Sequence, residues 1–241
     1  MKTINARDKR TLIIGDMHMP YHHPDSFKFL AAIKKKYRPD IVINIGDEVD
    51  GHGISFHPTD SDLASPSDEL QKVIDYIHAP KGLYNLFPKM ELLESNHGSL
   101  HLRKAKANGI PLHFLKSYQQ IYDTPTWFWH DDIILKTKIG DVYLCHGKSG
   151  MYNKMSKEMG MSCIQGHYHS KFEVTWTKTA LNERFNAFTG CLIDQRSLAF
   201  AYSKTNLPVA LLGSIVVSKE GYPRLVKMQL NSRNRWIGKL P

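Results

Sequence analysis

Thr11-Leu12-Ile13-Ile14 runs directly into Gly15-Asp16-Met17-His18, and Asp40-Ile41-Val42-Ile43-Asn44-Ile45 runs directly into Gly46-Asp47-Glu48-Val49-Asp50. Each apolar run is short and bounded by turn-forming residues, which predicts a buried strand. Between them, residues 24–37 carry apolar side chains at helical spacing: Phe27, Leu30, Ala31, Ile33 and Tyr37. Lys34, Lys35 and Lys36 fall mainly on the outside, and Pro39 stops the helix. A strand, a helix and a second strand within about 35 residues make a βαβ unit, so a parallel sheet is expected.

The pattern continues outward. After a loop rich in Gly, His and Pro at 51–61, Ser65 or Ser67 caps a helix with Pro66 in its first turn, and its buried face would be Leu70, Val73, Ile74 and Ile77. Pro80 and Gly82 end or kink it, and residues 83–87 add another turn. Residues 89–94 form a third strand leading into Ser95-Asn96-His97-Gly98. Residues 100–121 read as helix broken at Asn108-Gly109-Ile110-Pro111. A hairpin follows, with strands at 133–138 and 141–144, the second ending at Cys145-His146-Gly147. A short helix at 151–159 precedes a strand that ends at Gly166-His167-Tyr168-His169. Two alternating strands (172–178 and 184–189) and a last hairpin (209–217 with 223–230) complete the chain. No repeat or composition break interrupts it, so one domain over residues 1–241 is expected, with a basic tail from about residue 231.

Composition narrows the class. With 41% hydrophobic and 23% charged residues the chain has enough apolar material for a core and is not disordered. No apolar run approaches a membrane span, and the run behind the polar first ten residues is too short for a signal peptide. Cys145, Cys163 and Cys191 are widely spaced, which excludes a disulfide framework or zinc knuckle and fits the reducing cytoplasm. The formal charge of +9 makes nucleic acid the natural partner, beside the alternative of a basic surface kept for solubility.

Every early strand stops at a polar cluster: Asp16-x-His18, Gly46-Asp47-x-x-Asp50, Asn96-His97, His146-Gly147 and Gly166-His167-x-His169. Ligands in open α/β sheets gather outside the carboxyl ends of strands. The clusters would therefore meet in one place, and their carboxylate, amide and imidazole donors suit two divalent ions sharing a bridging carboxylate. Taken alone, Gly166-His167-Tyr168-His169 has two readings. On a strand its imidazoles would share one face and could both approach a metal; in a turn they would be a pair of surface histidines.

The ordered set D-x-H, G-D-x-x-D, N-H, H, G-H-x-H resembles the calcineurin-like metallophosphoesterases over residues 16–169. The resemblance implies an α/β fold, a four-layer α/β/β/α sandwich of mixed sheets with the metal site at the strand ends. It implies that Asp16, His18 and His169 hold one metal, that Asn96, His146 and His167 hold the other, and that Asp47 bridges them. His97 would stand at the leaving group, and Asp50 would orient a ligand without binding metal. Mn²⁺ is the first choice, with Fe, Zn²⁺ or Ni²⁺ as alternatives. Two such cations lower the pKa of water toward neutrality and neutralise phosphate oxygens, and His97 supplies a proton to the departing oxygen. Two positions depart from the family: Ser95 replaces a glycine, and Gly98 stands where the family often has Asp or Glu, leaving Asp50 as a possible partner for His97.

Other signals bear on the substrate. His52, Arg103 and Lys148 follow motif residues closely and are candidate phosphate contacts; His22, His23 and His57 are loop histidines that line the cleft or are only solvated. Thr126-Trp127-Phe128-Trp129-His130 either stacks on bases or fills core, and the tail (Arg233, Arg235, Trp236, Lys239) either grips nucleic acid or is an ordinary basic terminus. The expectation is a small nuclease or phosphodiesterase, with a phosphomonoesterase and a non-catalytic interaction module as rivals, no membrane partner, and a homodimer left open. Gly51 occupies the place of the Arg that follows the second Asp in Ser/Thr protein phosphatases, which weighs against that branch.

Overall fold

A computed structural model describes residues 1–56, 62–151, 153–197 and 210–241. His57 and Val209 lie outside the described residues. The βαβ unit is as the spacing predicts: β2 (Thr11–Ile14), α1 (Ser26–Tyr37) and β3 (Ile41–Asn44), with the two strands parallel and Ile13 opposite Ile43. α1 ends at Tyr37, with Arg38 in the left-handed region donating its N–H to the Lys34 carbonyl. Its buried residues are Ser26, Phe29, Leu30 and Ile33, so Phe29 joins the expected stripe while Phe27, Ala31 and Tyr37 are half-buried.

Downstream, α2 (Pro66–His78) is capped by Ser65, whose Oγ accepts from Asp68 N. Its buried residues are Glu69, Val73 and Ile77, and Leu70 is 40% exposed rather than buried. The reason lies outside the helix: the Glu69 carboxylate faces inward because it accepts backbone N–H groups from His52 (3.0 Å) and Gly53 (2.8 Å), which turns Leu70 outward. α3 (Leu83–Leu86) supplies the expected extra turn, and β4 (Met90–Leu93) the third strand. Residues 100–121 break into α4 (Leu100–Ala107), a 3-10 turn at Leu112–Phe114 and α5 (Tyr118–Tyr122).

Two strands escape the periodicity. Lys2–Asn5 forms β1, and the aromatic block contains β5 (Trp127–His130). Both pair on one side in their sheet, so they carry little of the continuous apolar signal of a central strand. Trp127 is fully buried and Trp129 packs on the same core, while Phe128, on the opposite face, is 49% exposed. The core reading therefore holds for the two tryptophans.

The remaining elements are β6 (Ile133–Thr137), β7 (Gly140–Cys145), α6 (Lys154–Glu158), β8 (Ser162–Gln165), β9 (Phe172–Lys178), β10 (Glu183–Thr189), β11 (Gly213–Val217) and β12 (Pro223–Lys227). Among the described residues they form two mixed sheets, ordered β1-β6-β7-β8-β10-β9 and β12-β11-β2-β3-β4-β5. Alternation along the strands sorts residues into layers. Leu12 and Ile14 face α1, α2, α3 and α5, whereas Ile13, Ile43 and Leu93 face Leu135, Leu144 and Ile164 across the inter-sheet core. On the far face, Met155 of α6 covers Tyr143, Cys145 and Cys163. The result is an α/β/β/α sandwich whose last layer is thin. Cutting Ile13 or Ile43 to alanine would cost about 2–5 kcal/mol, because both are completely buried between sheets.

Candidate metal centre

β2, β3, β4, β7 and β8 all end at one edge of the sandwich, and each delivers its polar cluster there. Asp16 is completely buried. Its Oδ2 accepts the His167 N–H at 2.6 Å and lies 3.2 Å from His169 Nε2, while its buried Oδ1 has no hydrogen-bond partner among the described residues. Gly166 is required beside it: a Cβ there would sit 2.5 Å from Asp16 Oδ1. His18 Nε2 faces His169 Nε2 at 3.2 Å, so two ring nitrogens converge on one point. Asp47 Oδ2 lies 3.4 Å from His18 Nε2 and 3.0 Å from His146 Nε2. Asn96 Oδ1 lies 2.8 Å from His146 Nε2 and 3.1 Å from His167 Nδ1.

Asp16, His18, Asp47 and His169 thus form one donor group, and Asp47, His146 and His167 a second, with Asp47 common to both. All seven residues expected to bind metal are brought together. The shared-face reading of His167 and His169 is corrected. β8 ends at Gln165, and His167 takes φ +69°, so the pair sits in a turn and divides between the two groups. His18 (φ +50°) and Asp47 (φ +47°) are also left-handed non-glycine residues. Such conformations cost about 1–3 kcal/mol each and persist where surrounding structure enforces them.

Outer contacts set which nitrogen each histidine presents. His18 Nδ1 donates to Asp50 Oδ1 (2.6 Å) and His146 Nδ1 to the Ile45 carbonyl (3.0 Å), so each turns Nε2 toward the donor groups. His97 Nδ1 donates to the Asp50 carbonyl at 2.6 Å, and the Asp50 carboxylate is 3.6 Å away. Asp50 therefore holds both His18 and His97, which answers what orients His97 in a chain with glycine behind it. Gly98 itself is enforced: a Cβ would lie 2.9 Å from Ser95 Oγ and 3.5 Å from Glu48 Oε1. A carboxylate there would crowd one already buried.

Ser95 and Glu48 carry roles the sequence reading missed. Ser95 Oγ accepts from Asp47 N (2.9 Å) and Gly98 N (3.0 Å), tying the second motif to the third. Glu48 is almost fully buried; burial pushes its carboxyl up to about 7, against the Trp129 Nε1–H donated to Oε1 at 3.0 Å. The only signal for either was position inside a motif.

Charge is arranged as a cation site would need. Burial disfavours a charged His18, but Asp47 and Asp50 outweigh it and raise its pKa to about 10; His146 rises to about 9 against burial because of Asp47 and Asp16. Asp47 stays well below the usual carboxylate range despite burial, held by His146 and His18. Positive charge is therefore drawn into the place where the donors converge. The oxygen and nitrogen donors, together with the orphaned Asp16 oxygen, fit divalent cations.

The substrate candidates separate. Arg103 and Lys148 line a cleft of about 450 Å³ together with Asn96, His146 and His167. Arg103 donates to the Asn96 carbonyl (3.0 Å), and Lys148 pairs with Asp132 (2.7 Å). His52 is not in that lining; its ring nitrogen faces Asp50 Oδ2 at 3.9 Å. His22 and His23 are buried away from the cleft. His22 packs against Phe27 and Tyr76, and His23 meets the Asn234 carbonyl (3.0 Å). The tail docks on the body: Arg235 Nε and Nη2 donate to Asp25 at 2.6 and 2.5 Å, and Trp236 packs edge-on to Phe29.

Comparison with known proteins gives the family. A model of the calcineurin-like phosphoesterases matches residues 9–186. The chain belongs to that family. Curated proteins gave no match to it. Solved structures are similar to the chain at low identity. Vacuolar protein sorting 29 from Cryptosporidium parvum has 14% identity and a TM-score of 0.50, covering 97% of this chain and 94% of that one. Vps29 of Chaetomium thermophilum has 10% identity and a TM-score of 0.46 over 97% and 91% of the two chains. YfcE, a phosphoesterase from E. coli, has 10% identity and a TM-score of 0.43 over 95% and 96%. At these identities the first likeness concerns the fold alone. No helix among the described residues is long and apolar enough to cross a membrane.

Proposed function

We propose that this calcineurin-like protein is a dinuclear metal-dependent phosphodiesterase acting on nucleic acid. One observation carries the metal reading: a single Asp47 oxygen lies between His18 Nε2 and His146 Nε2, each in a separate donor group. Asp16, His18, Asp47 and His169 would hold one cation, and Asp47, Asn96, His146 and His167 the other. When bound, two divalent cations supply Lewis acidity and make water nucleophilic near neutral pH. The protein's own groups do the rest. Asp50 fixes the His97 tautomer, so Nδ1 keeps its proton and Nε2 is the atom available to serve a departing oxygen. Burial lowers the His97 pKa, which makes the protonated ring a readier acid. Arg103 and Lys148 on the cleft wall bind phosphate oxygens of the strand.

The nucleic-acid part rests on the formal charge of +9 and on those two cations; Mn²⁺ is the first metal to test. The experiment offers Mn²⁺-loaded protein linear DNA, bis-p-nitrophenyl phosphate and p-nitrophenyl phosphate, beside Asp47→Asn. Cleavage of DNA and the diester, lost in the variant, is the expected result. Turnover of the monoester alone would assign a phosphomonoesterase. Metal uptake without any turnover would assign an interaction module.

A further inference from the structure

His97 stands at a boundary. On one side its ring centre is 4.5 Å from that of His18, in the donor cluster. On the other, His97 and Gly98 form part of the wall of a second cavity, of about 350 Å³, whose remaining lining is mostly apolar and includes Ile54, Val73, Ile121 and Tyr122. This cavity is separate from the cleft of Arg103 and Lys148, with no lining residue in common among the described residues. Its volume falls within the usual range for pockets that enclose a small organic group.

The wall is not uniformly apolar. His101 lines it, and among the described residues its buried Nε2 has no hydrogen-bond partner. The Glu69 carboxylate lines it as well, buried among apolar neighbours and held by two backbone N–H groups. A buried orphan nitrogen costs stability unless some group meets it. The cavity therefore offers a mostly apolar lining with the Tyr122 ring and two polar groups, His101 and Glu69, a composition suited to a heteroaromatic ring. A purely aliphatic group would leave His101 unsatisfied, and a phosphate would be desolvated against apolar walls.

We propose that this cavity seats the nucleobase on the leaving-group side of the scissile phosphate, with Tyr122 and Val73 flanking its face and His101 and Glu69 at its edge. The inference rests on the phosphodiesterase reading above, because His97 links the cavity to the site only if His97 serves the leaving group. It makes the enzyme selective for an unstacked base beside the cleaved bond, and hence for single strands or frayed ends over continuous duplex.

The test uses a phosphorothioate-linked thymidine dinucleotide, its two analogues with an abasic sugar on one side or the other, and orthophosphate. Each is titrated calorimetrically into Mn²⁺-loaded protein. One abasic analogue should bind about tenfold more weakly than the dinucleotide and the other about as well, since stacking in such pockets carries an effect of that order. Leu70 lies on the cavity rim and is 40% exposed, so Leu70→Trp narrows the mouth without disturbing packing. It should bring the dinucleotide and the sensitive analogue to within about twofold of each other, the size of difference that a lost stacking contact leaves. Equal affinity of all three dinucleotides, with orthophosphate still bound, would overturn the pocket and leave the metal centre standing. Failure of orthophosphate to bind would overturn the reading beneath it.

Discussion

Two buried aspartates lie close in sequence and behave in opposite ways. Asp25 has both carboxylate oxygens occupied: Arg235 grips them from two nitrogens, Trp236 N donates to Oδ2, and Lys28 approaches Oδ1 at 3.4 Å. Asp16 is more deeply buried, yet among the described residues one of its oxygens has no hydrogen-bond partner, and its nearest charged neighbours are histidines. A satisfied carboxylate clamps a terminus. An unsatisfied one, ringed by imidazoles and strained backbone, is compatible with a divalent cation. Natural proteins rarely leave such a group bare without a use for it.

The largest effect expected from breaking this contrast is at Asp47, which both donor groups share. Asp47→Asn should lower phosphodiester turnover by more than about 100-fold, beyond the roughly 10–100-fold expected for an outer partner such as Asp50. Steady-state kinetics in Mn²⁺ checks both variants. Next come the two aspartates themselves. Asp25→Asn should destabilise the protein by about 1.5–3 kcal/mol, with or without metal, because it breaks a charged hydrogen-bonded pair. Asp16→Asn should leave metal-free stability no lower and abolish the rise in Tm that Mn²⁺ produces. Thermal melts with and without metal decide it, and a metal-free loss at Asp16 as large as at Asp25 would sink the comparison.

A pH series sharpens the same point. Arg235 and the Trp236 N–H hold the Asp25 carboxyl below its ordinary 3.8, against burial. Its folded pKa is depressed, so its contribution is fully present above 3.8 and fades as pH falls through that value toward the folded one. The stability gap between the native chain and Asp25→Asn should therefore be widest near neutrality and close in acid, as read by urea midpoints. The smallest effects belong to the cleft wall. Arg103→Ala and Lys148→Ala should each raise KM for DNA by a few fold and reduce the salt slope of DNA binding by about one. Both residues already have protein partners, which is why the effect is small.

Much of this could be read from residue order alone. Short apolar runs ending in Asp16, Asp47, Asn96, His146 and His167 give both the sheet and the edge where the site lies, because strand ends are local facts. β1 and β5 were hidden because a strand paired on one side needs no continuous apolar run, and the aromatic block admits more than one reading. Glu69 and Leu70 exchanged places because backbone N–H groups from a distant turn captured the carboxylate. That capture depends on which segment lies opposite, and periodicity within one helix carries no such information.

By itself, then, the sequence determined the donor set: which side chains carry oxygen or nitrogen, and that each follows a strand. The resemblance already divided that set between two ions, and only the tertiary structure decided the backbone path that achieves the division. His167 and His169 are two residues apart, yet they belong to separate groups because the chain leaves β8 at Gln165 and turns through positive φ. It also decided that Asp50, 47 residues from His97 in sequence and already a candidate partner there, holds that ring through its backbone carbonyl, with its carboxylate 3.6 Å away. Such distances are set by packing between elements, where long-range closure rather than local preference fixes the geometry.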